Sequence, residues 1–284
     1  MTIEKYTELS EEQKSEIAAL EEVCYAKEGL SNRAFLSNEL NVDRTIPSFY
    51  LGYKDGELVA FLTTFIPEHG EAEVVAFTRP DMRRRGLFRE LFNSARGEMK
   101  ARGIGRMIFA KEPKSLSGAA ALKSFGETKL LRSEYRMVFA GAPSAPPAGG
   151  LRFEEICERN SEDFMRVESE EFGDADRSSN YLDALLHNSE RTGYVMFEGE
   201  RPVGVYCINF DEFADGFICG VVVTRELRGR GYGKKLMTHA LSVATMPTGR
   251  AILDVDSENP AAFELYKKLG FKVTFQVDYY LKKI

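Results

Sequence analysis

At 284 residues, 43% hydrophobic and 29% charged, the chain is long enough for two cores, and its formal charge of −6 argues against nucleic acid, whose binding needs a basic footprint. Cys24, Cys157, Cys207 and Cys219 provide no disulfide framework, and His69, His187 and His239 are too scattered to ligate a metal, so no metal is expected. No signal peptide or long apolar run is found, so a soluble, cytoplasmic chain without membrane contact is expected.

The predicted elements run strand, helices, three strands, helix, strand, helix, two strands, and then repeat. Three anchors carry the repeat. Gly56-Glu57-Leu58-Val59-Ala60-Phe61 lies 144 positions before Glu200-Arg201-Pro202-Val203-Gly204-Val205. Arg83-Arg84-Arg85-Gly86-Leu87-Phe88 lies 145 before Arg228-Gly229-Arg230-Gly231-Tyr232-Gly233, and Gly126 lies 144 before Gly270. Between the copies, residues 141–150 form an uncharged Pro/Gly/Ala stretch that reads as a linker. The domains are therefore expected at 1–140 and 151–284, each large enough for its own core. In the second, strands are predicted near 151–156, 192–199, 202–210, 216–223, 250–255, 270–275 and 277–283. Alternating helices and strands with a mixed sheet imply an α/β sandwich.

The segment Arg228-Gly229-Arg230-Gly231-Tyr232-Gly233-Lys234-Lys235 follows the β-formers Phe217–Val223 and precedes a helical pattern through Leu236, Ala240, Leu241 and Ala244. A strand that enters a Gly-rich turn and then a helix offers an anion free backbone N–H groups and the positive end of a helix dipole. The spacing fits neither a P-loop nor the dinucleotide-binding Gly-x-Gly-x-x-Gly; it fits Arg-x-x-Gly-x-Gly on Arg228, Gly231 and Gly233. Downstream, Ala251–Val255 alternates as a half-buried strand does. Asn259 and Pro260 supply an N-cap and a first helical residue, and Ala262, Phe263, Tyr266 and Leu269 recur on one helix face. Gly270 then stops the helix.

These two signatures, in this order, resemble the acetyl-CoA-binding segments of the GNAT acetyltransferases. The resemblance implies an α/β fold of two tandem GNAT-like domains, each a mixed, mostly antiparallel twisted sheet flanked by helices. It also implies that Arg228, Gly229, Arg230, Gly231, Tyr232, Gly233 and Lys234 wrap the CoA pyrophosphate. The backbone of Val221, Val222 and Val223 would pair with the pantetheine arm, one amide polarising the thioester carbonyl. Asn259 would bond the pantetheine, cap its helix, or do both. Tyr266 would be the general acid, since a phenol of pKa near 10 suits a thiolate leaving group of roughly 8–10.

Many members place a glutamate base on the fourth strand; here Cys219 stands in its place. Asp211, Glu212, Asp215 or a water chain remain as bases. In the first copy Phe88 replaces Gly233, Ser115 replaces Asn259 and Leu122 replaces Tyr266, so that copy reads as degenerate, shaping the site and retaining at most weak CoA binding. Tandem GNAT chains such as mycothiol synthases share the arrangement. Glu168, Glu170, Glu171, Asp174 and Asp176 form either an acidic mouth for a protonated amine or a solvated helix face. The expected activity is acetyl transfer from acetyl-CoA to a primary amine of a small molecule or peptide, by direct attack in a ternary complex. The alternatives are a non-catalytic acyl-CoA sensor and a transferase for a different acyl-CoA.

Overall fold

A computed structural model describes residues 1–143, 150–173, 179–210 and 215–284. The elements in chain order are β1 (Thr2–Tyr6), α1 (Glu11–Glu28), β2 (Phe49–Lys54), β3 (Glu57–Phe65), β4 (Glu71–Thr78), α2 (Leu87–Ala101), β5 (Arg106–Lys111), α3 (Leu116–Ser124) and β6 (Lys129–Ala140). They continue with β7 (Leu151–Glu155), α4 (Ser161–Phe172), α5 (Ser179–His187), β8 (Arg191–Glu198), β9 (Arg201–Phe210), β10 (Gly216–Val223), α6 (Tyr232–Ala244), β11 (Arg250–Asp256), α7 (Pro260–Lys268) and β12 (Lys272–Lys283). The fold is α/β, with two copies of one arrangement.

Local chemistry accounts for the ends of the elements. Ser10 and Gln13 close a capping box on α1, and Gly29 ends that helix at φ +67°, where a side chain would be strained. Asn259 caps α7 by accepting from the Ala262 N–H, with Pro260 at the first position, as its sequence pattern predicts.

Two compact units result, but they are not the two sequence halves. One unit holds Met1–Ser133 together with Phe275–Ile284, and the other holds Glu134–Ala175 together with Tyr181–Thr274. In the first, the sheet runs β1-β2-β3-β4-β5-β12, with β5 joined antiparallel to the last strand of the chain through Lys111↔Asp278 to Arg106↔Lys283. In the second it runs β6-β11-β10-β9-β8-β7, with β11 joined antiparallel to the last strand of the first copy through Arg250↔Ala140 to Asp256↔Glu134. Each copy thus lends its final strand to the other's sheet. Arg136 and Asp254, register partners on β6 and β11, form a bidentate pair at 2.6 and 2.7 Å.

The separate strands predicted at 270–275 and 277–283 are instead the single strand β12, which starts at Lys272. The β6 segment is likewise one strand where two were predicted. Neither segment contains Gly or Pro, so nothing in it can turn the chain. Among the described residues no helix is long and apolar enough to cross a membrane.

In the second unit's core, His239 on α6 stacks on Phe153 with ring centroids 3.9 Å apart, and the Tyr206 hydroxyl lies 2.7 Å from its Nδ1. Burial holds its pKa below the ordinary 6.5. The folded chain therefore resists a proton that the unfolded chain accepts, so stability is full above pH 6.5 and falls as pH drops below it. Denaturant unfolding at a series of pH values should show this loss, bounded at about 1.4 kcal/mol per pH unit for one proton, and His239→Gln should remove it.

Candidate active site

The site in the second unit is built from a gap and a kink in one strand. β10 runs parallel to β11 only at Gly216↔Ala251 and Phe217↔Ile252, so the strands part beyond Phe217. Among the described residues the backbone of β10 has no strand partner on that side from there on, and a linear amide could add to it. On its other side, β10 pairs with β9 at Cys219↔Cys207 and resumes at Val222↔Val205. Gly220 and Val221 have no Cα partner, and Gly220 sits at φ +57°. This is a β-bulge, with one extra residue that leaves a backbone N–H outside the ladder.

The first unit shows what the bulge adds. There β3 and β4 pair without interruption from Ala60↔Thr78 to Phe65↔Glu73. Thr63↔Val75 takes the place of Cys207↔Cys219, and Ala60↔Thr78 that of Gly204↔Val223. A single residue, Ala76, therefore stands where Gly220 and Val221 stand. This insertion is why the repeat offset is 144 at Gly56 and 145 at Arg83. The signal was present in the sequence, but the offsets alone did not identify its structural cause.

The turn after the strand is nearly the same in both units. A 3-10 turn at Arg225–Leu227 leads to Gly229 at φ +74° and Gly231 at φ +85°, and α6 begins at Tyr232. In the first unit a 3-10 turn at Pro80–Met82 leads to Arg84 at φ +63° and Gly86 at φ +86°, followed by α2. A Cβ added at Gly229 or Gly231 would meet nothing within 4 Å, so the turn faces open space. Arg84 holds a left-handed backbone at a cost of about 1 kcal/mol, a strain tolerated where the surroundings fix the turn.

The predicted site residues divide by role. Arg228 is exposed; its Nε donates to the Val223 carbonyl at 2.9 Å and its NH2 pairs with Glu171 at 2.9 Å. Arg83 repeats the pattern, donating to the Thr78 carbonyl at 3.0 Å and pairing with Glu28. The first arginine of each motif therefore clamps the turn to its strand and to the preceding helix, a role that sequence reasoning missed. Arg230 and Lys234 are exposed, and Tyr232 bonds Glu198 at 2.5 Å. Gly233 lies against α7, where a Cβ would sit 3.4 Å from Leu265. Val221 and Val223 are half-buried, and Val222 is core. Asn259 is exposed, with Oδ1 3.1 Å from the Ala262 N–H that it caps.

Tyr266 is 8% exposed and packs on Phe271, and burial pushes its phenol up to about 12. Leu122 fills the matching place in the first unit at the same 8% exposure.

The acidic residues are largely committed to contacts within the chain. Glu170 accepts from the Arg225 N–H at 2.9 Å, Glu171 pairs with Arg228, and Glu168 is buried. Asp174, Asp176, Asp211 and Glu212 lie outside the described residues. Asp215 bonds Thr248 at 2.7 Å and lies 3.5 Å from Arg250, at the start of β10. Seven residue steps, or roughly 23 Å along the strand, separate it from Val222. Among the described residues, no group of three His, Cys, Asp or Glu could hold a metal.

The first unit contains a cavity of about 810 Å³ beside its own turn. It is lined by Ala76, Arg84, Gly86, Phe88, Phe109 and Phe125, among others. Phe88 lies with Phe125 in the wall, with ring centroids 5.3 Å apart. β4 and β5 part beyond Val74↔Phe109, which opens the same kind of gap as in the second unit.

A model of the acetyltransferase (GNAT) family matches the chain twice, over residues 12–126 and 153–271. The chain belongs to that family. The GNAT domain thus occurs in both copies, and the chain is an N-acetyltransferase by family. A mycothiol acetyltransferase of Mycolicibacterium smegmatis is 25% identical across 96% of this chain and 96% of its own. A peptidyl-lysine N-acetyltransferase, YjaB, of Salmonella typhimurium is 30% identical over 32% of this chain and 49% of its own. Among solved structures, a GCN5-related N-acetyltransferase from Sphaerobacter thermophilus superposes with a TM-score of 0.75 at 18% identity, covering 99% of this chain and 95% of that one. A tandem GNAT protein from the clavulanic acid biosynthesis pathway gives 0.72 at 15% identity, covering 99% and 98%. At those identities the structures establish the tandem GNAT fold and no more.

Proposed function

We propose that the second unit transfers an acetyl group from acetyl-CoA to a primary amine of a small molecule or peptide, by direct attack in a ternary complex. The observation that carries this reading is the β10 bulge, whose unpaired N–H adjoins the open edge of Val221–Val223. The pantetheine arm lies along that edge, and the amides of residues 229–234 take the pyrophosphate at the start of α6. The amine nitrogen attacks the thioester carbonyl, and the bulge N–H stabilises the oxyanion. As the C–S bond breaks, the thiolate takes the Tyr266 proton. Asp215 is engaged at the far end of the strand, so the amine loses its proton through water.

The first unit turns no thioester over, because β4 lacks the bulge and Leu122 has no proton to give. The boundaries at 140 and 151 delimit these two copies in sequence. The relatives include enzymes named for mycothiol and for peptidyl-lysine, and the second name supports an amine acceptor.

Calorimetric titration with acetyl-CoA tests the assignment. One site per chain is expected, lost in Gly233→Phe together with amine-dependent thiol release. Release that survives Gly233→Phe would move the reaction out of the second unit, and no binding at all would remove acyl-CoA from the reading.

A further inference from the structure

The same hairpin that carries the bulge carries two thiols that the transfer reaction does not use. Cys207 on β9 and Cys219 on β10 are direct register partners. They therefore share one face of the sheet, and both pack into the cluster formed with Phe164, Val205 and Val222. Their side chains hydrogen-bond to each other, and the Tyr181 hydroxyl lies 3.2 Å from Cys207 Sγ. Directly opposed residues of an antiparallel pair have Cα atoms about 4.5 or 5.5 Å apart. Both spacings fall inside the range of about 4.4–6.8 Å that a disulfide accepts, so the register places the two thiols within bridging range. The first unit has Thr63 and Val75 at this place, so the fold itself does not require thiols there.

We propose that Cys207 and Cys219 form a modification site, a reversible intrachain disulfide closed by a hydroperoxide, and that closing it halts acetyl transfer. Cys219, the half-buried member, reacts first. Its thiol releases its proton, the thiolate attacks the peroxide, the O–O bond breaks, and the departing hydroxide takes up that proton, so Cys219 sulfenic acid and water form. The Cys207 sulfur then displaces hydroxide from that sulfenic acid, and its proton leaves with the hydroxide as water. Two thiols lose two electrons and one hydrogen peroxide becomes two waters. Cys207 is the resolving partner because burial and its hydrogen bond to Cys219 raise its pKa well above the ordinary thiol value. The bridge ties β9 to β10 at the residue next to Gly220. A covalent tie there fixes the one part of the strand that departs from the ladder, and with it the direction of the bulge N–H. The second half of the proposal rests on the proposed function; the first half does not.

The full chain, carrying Cys157→Ser to remove its exposed thiol, is treated with hydrogen peroxide, blocked with iodoacetamide and mapped by peptide mass. A Cys207–Cys219 linked peptide is expected, two hydrogens lighter than its reduced parts and released by dithiothreitol. Recovery of both residues alkylated, or a link only through Cys24, overturns the site. Transfer should fall at least tenfold on oxidation and return with dithiothreitol. Cys219→Val, which copies the first unit's Val75, should transfer acetyl and ignore peroxide. A linked chain with undiminished transfer overturns the inhibitory half, as does a peroxide-sensitive Cys219→Val. A reduced chain that acetylates no amine refutes the proposed function instead, and peptide mapping still decides the bridge.

Discussion

Tyr266→Phe is expected to lower kcat for acetyl transfer by about 10²–10⁴-fold while acetyl-CoA affinity stays within a few-fold of wild type. The change removes one oxygen from a side chain whose ring stays packed on Phe271, so the α7 face is preserved. The lost rate is that of protonating the departing thiolate. Because burial pushes the phenol up to about 12, it keeps its proton through the ordinary pH range, and the wild-type rate should show no alkaline loss from this group below about pH 10. Steady-state kinetics with thiol detection, alongside calorimetry, separates the two quantities. An unchanged kcat would take the acid role away from Tyr266.

Replacing Gly220-Val221 by a single alanine is expected to lower kcat by about 10²–10³-fold, the usual cost of one oxyanion donor. The variant copies Ala76 of the first unit, where the same two strands pair without a break, so the sheet should close into a regular ladder. Thermal unfolding should be no worse than wild type, because an αL glycine and an unpaired peptide are removed together. Cofactor binding through residues 229–234 should persist. Full activity in a folded variant would show that the bulge N–H does not touch the thioester.

The order of the elements was legible in the sequence because the repeat displays it twice. The α7 cap, the helix face through Tyr266, and the turn at Gly229 and Gly231 all follow from local propensity. Glycine and asparagine accept backbone shapes that other residues resist, and that preference is written in single letters. Non-local pairings were not legible. Arg228 reads as a phosphate ligand in the sequence, and its contacts with Val223 and Glu171 show only in the fold, since one guanidinium serves a phosphate or a carboxylate equally well. Asp215 reads as a possible base in the sequence, and its contacts with Thr248 and Arg250 show only in the fold. The opposition of Cys207 to Cys219 depends on strand register, and spacing within one strand does not fix it.

The crossed final strands have a consequence for how the polypeptide is made and inherited. As the chain leaves the ribosome, the first copy waits with the edge of β5 open until the second copy and β12 have been added, since β12 is what covers it. Its early partner segment, β6, has meanwhile gone to the later copy. Once a duplicated gene makes this trade, neither copy can be discarded without unfinishing the other. A copy that loses its chemistry is therefore retained for its strand.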